Sequence, residues 1–314
     1  MFGYFQFPLC FCCLAESGEF GFDSSRGQVN LWQLITSLTV QAEFTLSFWQ
    51  DKVVIVAGAS TGFGKVLAAK LVASQARVIL IARDVQRLAV TADELNTSAS
   101  TSVQTHSVDL IDAMATEAAV QKVVADFGKI DAVFNCVGKS TREPVLEVGV
   151  PKMEEMMRIN LHTVINLSVA VLAELEKSKG HLVNIGSLAS KTAWPYVTSY
   201  AVSKSAMATY THQLRLEGPQ DVHYLLVCPG PIIRKDSGTR YDEASDKLPE
   251  HARAGAAGAK VRGIPPERLA EKILRACVKR KKELIVPGYA RLAFIASAIS
   301  PALGDWILRK KMSK

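Results

Sequence analysis

The 314-residue sequence is short of the features that mark secreted, metal-dependent or nucleic-acid-binding proteins. Its six cysteines follow no framework spacing: Cys10, Cys12 and Cys13 crowd the start, while Cys136, Cys228 and Cys277 are scattered. With no second Cys pair and no clustered histidines, the sequence predicts neither a disulfide scaffold nor a metal site, and a reducing cytoplasm is the expected compartment. The apolar stretch 1–14 carries no Lys or Arg, which argues against a secretory signal. Its apolar run also falls short of the ~20 residues of a membrane-spanning helix. Basic and aromatic residues are not interleaved, so nucleic acid is not an expected partner. Internal repeats are lacking, and the only tract of low complexity is the small-residue stretch 252–259.

What is present is the composition of a globular protein, with 48% hydrophobic and 21% charged residues, which excludes wholesale disorder. The net charge of +7 is unevenly spread. Residues 1–50 hold one basic side chain, Arg26, against four acidic ones, so the positive excess lies in the remainder. Part of it sits in Lys279, Arg280, Lys281 and Lys282, and part in Arg309, Lys310, Lys311 and Lys314. A solvated face accounts for such runs in the first instance. Contact with an anionic lipid surface or a polyanionic ligand is the alternative.

From residue 51 onward, apolar β-rich runs alternate with amphipathic ones. Strands are predicted at 53–57, 77–82, 103–108, 132–136, 181–186, 222–228 and 284–286, the longer ones as buried strands. Helices are predicted at 63–74, 85–95, 112–127, 151–175, 198–217 and 265–280, the last opening at Pro265 and Pro266. Val- and Ile-rich strands each followed by a helix imply an α/β fold, a doubly wound parallel sheet covered on both faces. Ligands then bind at the carboxyl ends of the strands. Three segments follow: an extension over 1–50, a catalytic domain over 51–288, and an apolar C-terminal helix with a basic tail over 289–314. Residues 231–263 break the alternation, and their place after the sixth strand suggests a mobile substrate cover.

Two constellations carry chemistry. The run Val53 to Gly64 is a strand leading through Gly58, Ala59, Ser60, Thr61, Gly62, Phe63 and Gly64 into a helix. Glycines let the backbone approach a pyrophosphate, and the helix start offers unpaired N–H groups. Further on, Tyr200 and Lys204 lie four apart and share one face of a helix. A phenol has a pKa of roughly 10. A fixed ammonium one turn away favours the phenolate and lowers that value. Ser187 can donate to, or accept from, the same substrate oxygen. The trio suits general acid–base work on an alcohol/carbonyl pair.

The glycine turn, with Asn135-Cys136-Val137-Gly138, Asn160, Ser187, Tyr200-x3-Lys204 and Pro229-Gly230, resembles the classical short-chain dehydrogenase/reductase family in order and spacing over about residues 51–288. The resemblance implies a seven-stranded Rossmann domain that binds NAD or NADP. It implies Tyr200 as proton donor or acceptor, Lys204 as the group that lowers its pKa and contacts the nicotinamide ribose, and Ser187 as the group that polarises the carbonyl. Asn160 would hold a water linking Lys204 to solvent. Cofactor contacts are implied for Gly58, Ser60, Thr61, Gly62, Phe63, Gly64, Leu110, Asn135, Gly138, Pro229, Gly230 and Ile232, besides Tyr200 and Lys204. Arg83 ends the second strand where NAD-preferring relatives carry an acid, so NADP(H) is expected over NAD(H), with Arg83 on the 2′-phosphate. Asp109 matches the position that accepts from the adenine amino group, with a helix N-cap near Asp112 as the rival reading.

The sequence also departs from the family pattern. Ala57 replaces a Thr before the first glycine, and Cys136 and Val137 replace the second Asn and the Ala of Asn-Asn-Ala-Gly. Arg234 stands where many relatives place a Thr that contacts the nicotinamide amide, which suggests an anionic substrate mouth. The apolar segment 289–308 is expected to pack on the cleft or on a second copy in a homo-oligomer, with peripheral membrane contact as the alternative. The resulting expectation is an NADP(H)-dependent oxidoreductase interconverting an alcohol and a ketone or aldehyde, on a lipophilic small molecule. The rivals are a 3-oxoacyl thioester reductase of fatty-acid metabolism and a non-catalytic NADP-binding sensor or scaffold.

Overall fold

Every predicted strand forms, and all seven join one parallel sheet in the order β3-β2-β1-β4-β5-β6-β7. They are β1 Val53–Ala57, β2 Arg77–Ala82, β3 Gln104–Ser107, β4 Ala132–Asn135, β5 His181–Ile185, β6 His223–Pro229 and β7 Glu283–Val286. The computed structural model describes residues 47–97, 103–234, 248 and 262–312. The expectations for the N-terminal extension up to residue 46, and for most of the segment 231–263, therefore lie outside the described residues.

Alternation along the strands explains why both faces need helices. Val54, Val56, Val78, Leu80, Phe134, Val183 and Val227 enter one buried cluster, while Val53, Ile55, Ile79, Ile81, Val133 and Leu182 enter another. The first cluster is covered by α1 Gly62–Ala73, α2 Val85–Asn96 and α7 Pro266–Val278, through Leu67, Leu71, Leu88 and Ile273. The second is covered by α3 Ala113–Phe127 and α5 Thr163–Lys177, through Val120, Val123, Leu167 and Val171. Burying each such side chain is worth roughly 1.5–3 kcal/mol, which holds both layers on the sheet. Ahead of the strands, Trp49 is fully buried against Phe134 and His181, so the packed unit begins before residue 51.

Three elements differ from expectation. β3 alternates half-buried and exposed residues instead of being buried, because it is the sheet edge and pairs only with β2. The helix predicted over 151–175 is α4 Val150–Met157 and α5 with a π-helical turn, Arg158–His162, between them. Taken as one 28-residue segment it is apolar enough to cross a membrane by length and composition, yet it carries the buried Asn160. The single C-terminal helix is two, α8 Ala290–Ile299 and α9 Pro301–Met312. Ser300 between them is extended, as a residue before proline is expected to be.

Candidate active site

The chain order reverses between β1 and β4, and a crevice opens there at the carboxyl ends of the strands. A cavity of about 2570 Å³ occupies it. Gly58, Ser60, Thr61, Gly62, Phe63 and Gly64 line one wall, Arg83, Asp109 and Leu110 the far end, and Gly138, Ser187, Tyr200, Lys204, Pro229, Gly230 and Ile232 the other side.

Backbone geometry makes the glycine turn specific. Gly58 has φ +75, and a Cβ there would meet the Val137 backbone nitrogen at 2.8 Å. A Cβ on Gly64 would strike the carbonyl of Gly58, so only glycine lets α1 close onto the end of β1. Thr91 Oγ1 donates to the Ser60 carbonyl at 3.0 Å and ties α2 to the turn. The N-cap residue of α1, Thr61, makes no side-chain capping bond. Its first-turn N–H groups point to a ligand of negative charge, so the residues present fit the diphosphate of a dinucleotide.

The opposite wall is built around α6 Thr198–Glu217. Tyr200 and Lys204 lie on its first two turns and face the cavity together. Lys204 is buried, and its Nζ donates to the Ile185 carbonyl at 2.8 Å. Burial pushes its pKa down to about 8. Ser187 caps the short helical turn Leu188–Ser190, its Oγ accepting from the Ala189 N–H at 3.1 Å. That bond uses a lone pair and leaves the hydroxyl proton for another acceptor. Neighbouring Cys136 is held as a neutral thiol, its pKa pushed up to about 12 by burial.

Asn160 and Asn135 lie behind the cavity wall instead of lining it. Asn160 sits in the π-helical turn, fully buried, and donates through Nδ2 to the Lys139 carbonyl at 3.0 Å and to Ser203 Oγ at 2.9 Å. Its Oδ1 accepts from the Lys139 N–H at 2.9 Å. Asn160 Oδ1 and Lys204 Nζ each lie 3.1 Å from where a Cβ on Gly138 would sit, so Gly138 keeps the two close. Asn135 donates through Nδ2 to Asn184 Oδ1 at 2.8 Å, while its own Oδ1 is buried with no hydrogen-bond partner among the described residues. At the far end Arg83 is 67% exposed and only 4.0 Å from Asp109, a weak pairing that leaves the guanidinium available to a phosphate. Asp109 Oδ1 accepts from the Ile111 N–H at 3.1 Å, and the N-cap of α3 is Asp112.

Two more residues bear on the site, Glu143, which carries no sequence signature, and Arg234, which does. Glu143 is a buried acid whose Oε1 accepts from the Ser199 N–H at 3.0 Å, from Thr141 Oγ1 at 2.9 Å and from Ser199 Oγ. It thereby caps the start of α6 from a distant loop. Arg234, whose spacing after Pro229-Gly230 suggested the substrate mouth, instead lays its guanidinium against Gly62.

At the other end of the strands, His181, His223 and Cys277 bring three metal-ligating atoms within 4.8 Å of one another. The two Nδ1 atoms are 2.8 Å apart, a hydrogen-bond distance. Two nitrogens around a tetrahedral zinc would stand ~3.3 Å apart, given bonds of ~2.0–2.1 Å. His223 Nε2 donates to the Lys281 carbonyl at 2.8 Å, so its Nδ1 is the acceptor and His181 the donor. Accepting at Nδ1 makes the His223 ring neutral, and burial holds the His181 pKa down at about 3, so that ring is neutral as well.

Comparison with known proteins agrees with this architecture. The family model described as short chain dehydrogenase matches residues 52–243. Dehydrogenase/reductase SDR family member 7B of Danio rerio is 31% identical over 273 residues, covering 84% of this chain and 87% of that protein. Dehydrogenase/reductase SDR family protein 7-like of Drosophila melanogaster is 28% identical, covering 91% of this chain and 86% of that protein. Among solved structures, an alcohol dehydrogenase from Thermococcus sibiricus complexed with 5-hydroxy-NADP aligns with a TM-score of 0.64 and 25% identity, covering 75% of this chain and 95% of that one. L-Sorbose reductase from Gluconobacter frateurii, complexed with NADPH and L-sorbose, shares the fold with a TM-score of 0.64 at 23% identity, covering 76% and 95%. A seven-stranded Rossmann sheet, a glycine turn at the start of α1 and a family match over most of the packed unit lead to one assignment: the chain belongs to the short-chain dehydrogenase/reductase family of oxidoreductases.

Proposed function

We propose that this oxidoreductase uses NADP(H) to interconvert a secondary alcohol and a ketone, or a primary alcohol and an aldehyde, on a lipophilic small molecule. The observation that carries the reading is the buried Lys204 ammonium one helical turn from Tyr200, with both opening beside Ser187 onto the nucleotide-sized cavity. A buried cation costs solvation free energy, and its place one turn from Tyr200 and beside Ser187 puts that charge where a phenolate would form.

Bound nicotinamide supplies the hydride for the carbonyl carbon, or accepts it in the reverse direction. Tyr200 donates the proton to the carbonyl oxygen. Ser187, whose Oγ lone pair already accepts from Ala189, turns its own proton to the same oxygen. Lys204 favours the phenolate left on Tyr200. A water held between Asn160 Oδ1 and Lys204 Nζ would return the proton to the site. Arg83 supports NADP(H) over NAD(H), since a guanidinium suits the 2′-phosphate and no acid replaces it at the end of β2. The exposed apolar residues Leu292, Ile295 and Ile299 of α8, with Leu303 and Trp306 of α9, support peripheral contact with an anionic membrane, because Arg309 and Lys310 flank them. Such a contact would deliver a lipophilic substrate beside the cleft.

The test is a panel of ketones and aldehydes assayed with NADPH and NADH, followed by Tyr200→Phe on the best substrate. The variant is expected to bind NADPH as the wild type does and to lose roughly 10²–10⁴-fold in turnover, the range of general acid–base catalysis. Turnover at the wild-type rate would end this mechanism.

A further inference from the structure

We infer that Arg234 is a pyrophosphate-binding residue, gripping the part of the dinucleotide common to NAD(H) and NADP(H). The inference rests on the oxidoreductase reading and adds a residue to its cofactor site. With a Cβ built on Gly62, the nearest atom would be Arg234 Nη2, with Cζ at 3.4 Å and Nε at 3.9 Å. The whole guanidinium edge therefore lies over the first residue of α1, where the diphosphate of a dinucleotide docks.

This placement is set by the backbone. Ile232 and Ile264 form a parallel bridge, the Ile233 N–H donates to the Ile264 carbonyl at 2.9 Å, and the Ile264 N–H donates to the Pro231 carbonyl at 2.8 Å. The strand end carrying Pro229 is thus tied to the residues just before α7, and Arg234 leaves that tie directed across the cavity to the opposite wall. Gly62 has φ +60 and no side chain, which lets the guanidinium come directly onto the turn. A guanidinium presents a planar fork of N–H donors matched to phosphate oxygens, whereas a Thr hydroxyl at this place offers one neutral donor. Arg234 and Arg83 then divide the anion between them: Arg83 senses whether a 2′-phosphate is present, and Arg234 holds the diphosphate of either nucleotide.

The experiment measures dissociation constants of wild type, Arg234→Thr and Arg234→Lys for NADPH, NADH, ADP-ribose and adenosine 2′-phosphate by quenching of intrinsic tryptophan fluorescence. Arg234→Thr is expected to weaken NADPH, NADH and ADP-ribose alike, by roughly 10- to 100-fold, or about 1.4–2.8 kcal/mol at 1.4 kcal/mol per decade. Adenosine 2′-phosphate, which has no diphosphate, should bind both proteins equally, and Arg234→Lys should recover part of the loss. Unchanged ADP-ribose affinity in Arg234→Thr, with a raised KM for a carboxylate-bearing carbonyl substrate, would place the guanidinium at the substrate mouth and overturn the inference. A wild-type chain that binds none of the dinucleotides would overturn the oxidoreductase reading beneath it.

Discussion

Glu143 holds the start of the helix that presents Tyr200 and Lys204, and replacing it with alanine exposes what that capping is worth. Its carboxylate serves three donors: the Ser199 N–H, Ser199 Oγ and Thr141 Oγ1. In Glu143→Ala the two hydroxyls can bond to each other, since they already lie 3.1 Å apart. The Ser199 N–H has no such recourse, because Ser199 is fully buried. Loss of an N-cap costs about 1 kcal/mol, and a hydrogen bond to a charged group is worth roughly 1.5–3 kcal/mol. The expected loss is therefore about 2–4 kcal/mol. At roughly 2–4 °C per kcal/mol for a domain of this size class, Tm should fall by about 4–16 °C in a thermal melt. Glu143→Gln keeps an acceptor for Ser199 and should lose less than half as much. Because Ser199 immediately precedes Tyr200, the alanine variant should also lower turnover more than it raises KM. A melting temperature within 2 °C of wild type would refute the reasoning, since an uncompensated buried amide cannot be that cheap.

Three further outcomes are expected. Arg83→Ser should raise the KM for NADPH by roughly 10- to 100-fold while leaving that for NADH within about threefold, and an equal rise for both would remove the 2′-phosphate contact. Burial holds the His181 pKa down at about 3 from the ordinary 6.5, and that of His223 is also lowered by burial. The unfolded chain therefore takes up protons that the fold refuses, so stability is full above pH 6.5 and is lost as pH falls toward about 3. Each such proton contributes about 1.4 kcal/mol per pH unit, and urea unfolding between pH 7 and 4.5 should show a shallower pH dependence in His181→Gln than in wild type. Co-sedimentation with anionic vesicles should weaken in Leu292→Glu/Ile295→Glu. A face that self-associates in sedimentation velocity and ignores vesicles would instead assign α8 and α9 to a homo-oligomer contact.

Sequence alone was sufficient for the sheet, the glycine turn and the Tyr200/Lys204 pair, because each rests on local information. Strand runs announce themselves by their Val and Ile content, glycines by the backbone they permit, and residues four apart by helical period. Ser187 and Arg83 line the same cavity, and the roles proposed for them come from the family resemblance and not from local pattern. Only the tertiary structure decided contacts between segments distant in the chain. Glu143 is an unremarked loop acid until folding brings it 56 residues along the chain to the N-terminus of α6. Asn160 sits in a π-helical turn that no hydrophobic period reveals, and Asn135 donates to Asn184 of the neighbouring strand. The exposed register of β3 follows from its having one neighbour, and the break at Ser300 from the proline after it. Arg234 shows the difference most plainly. Its spacing after Pro229-Gly230 placed it near the substrate, but the tie between Ile232 and Ile264 swings it to Gly62, because where a side chain ends up depends on which strands the backbone is bound to.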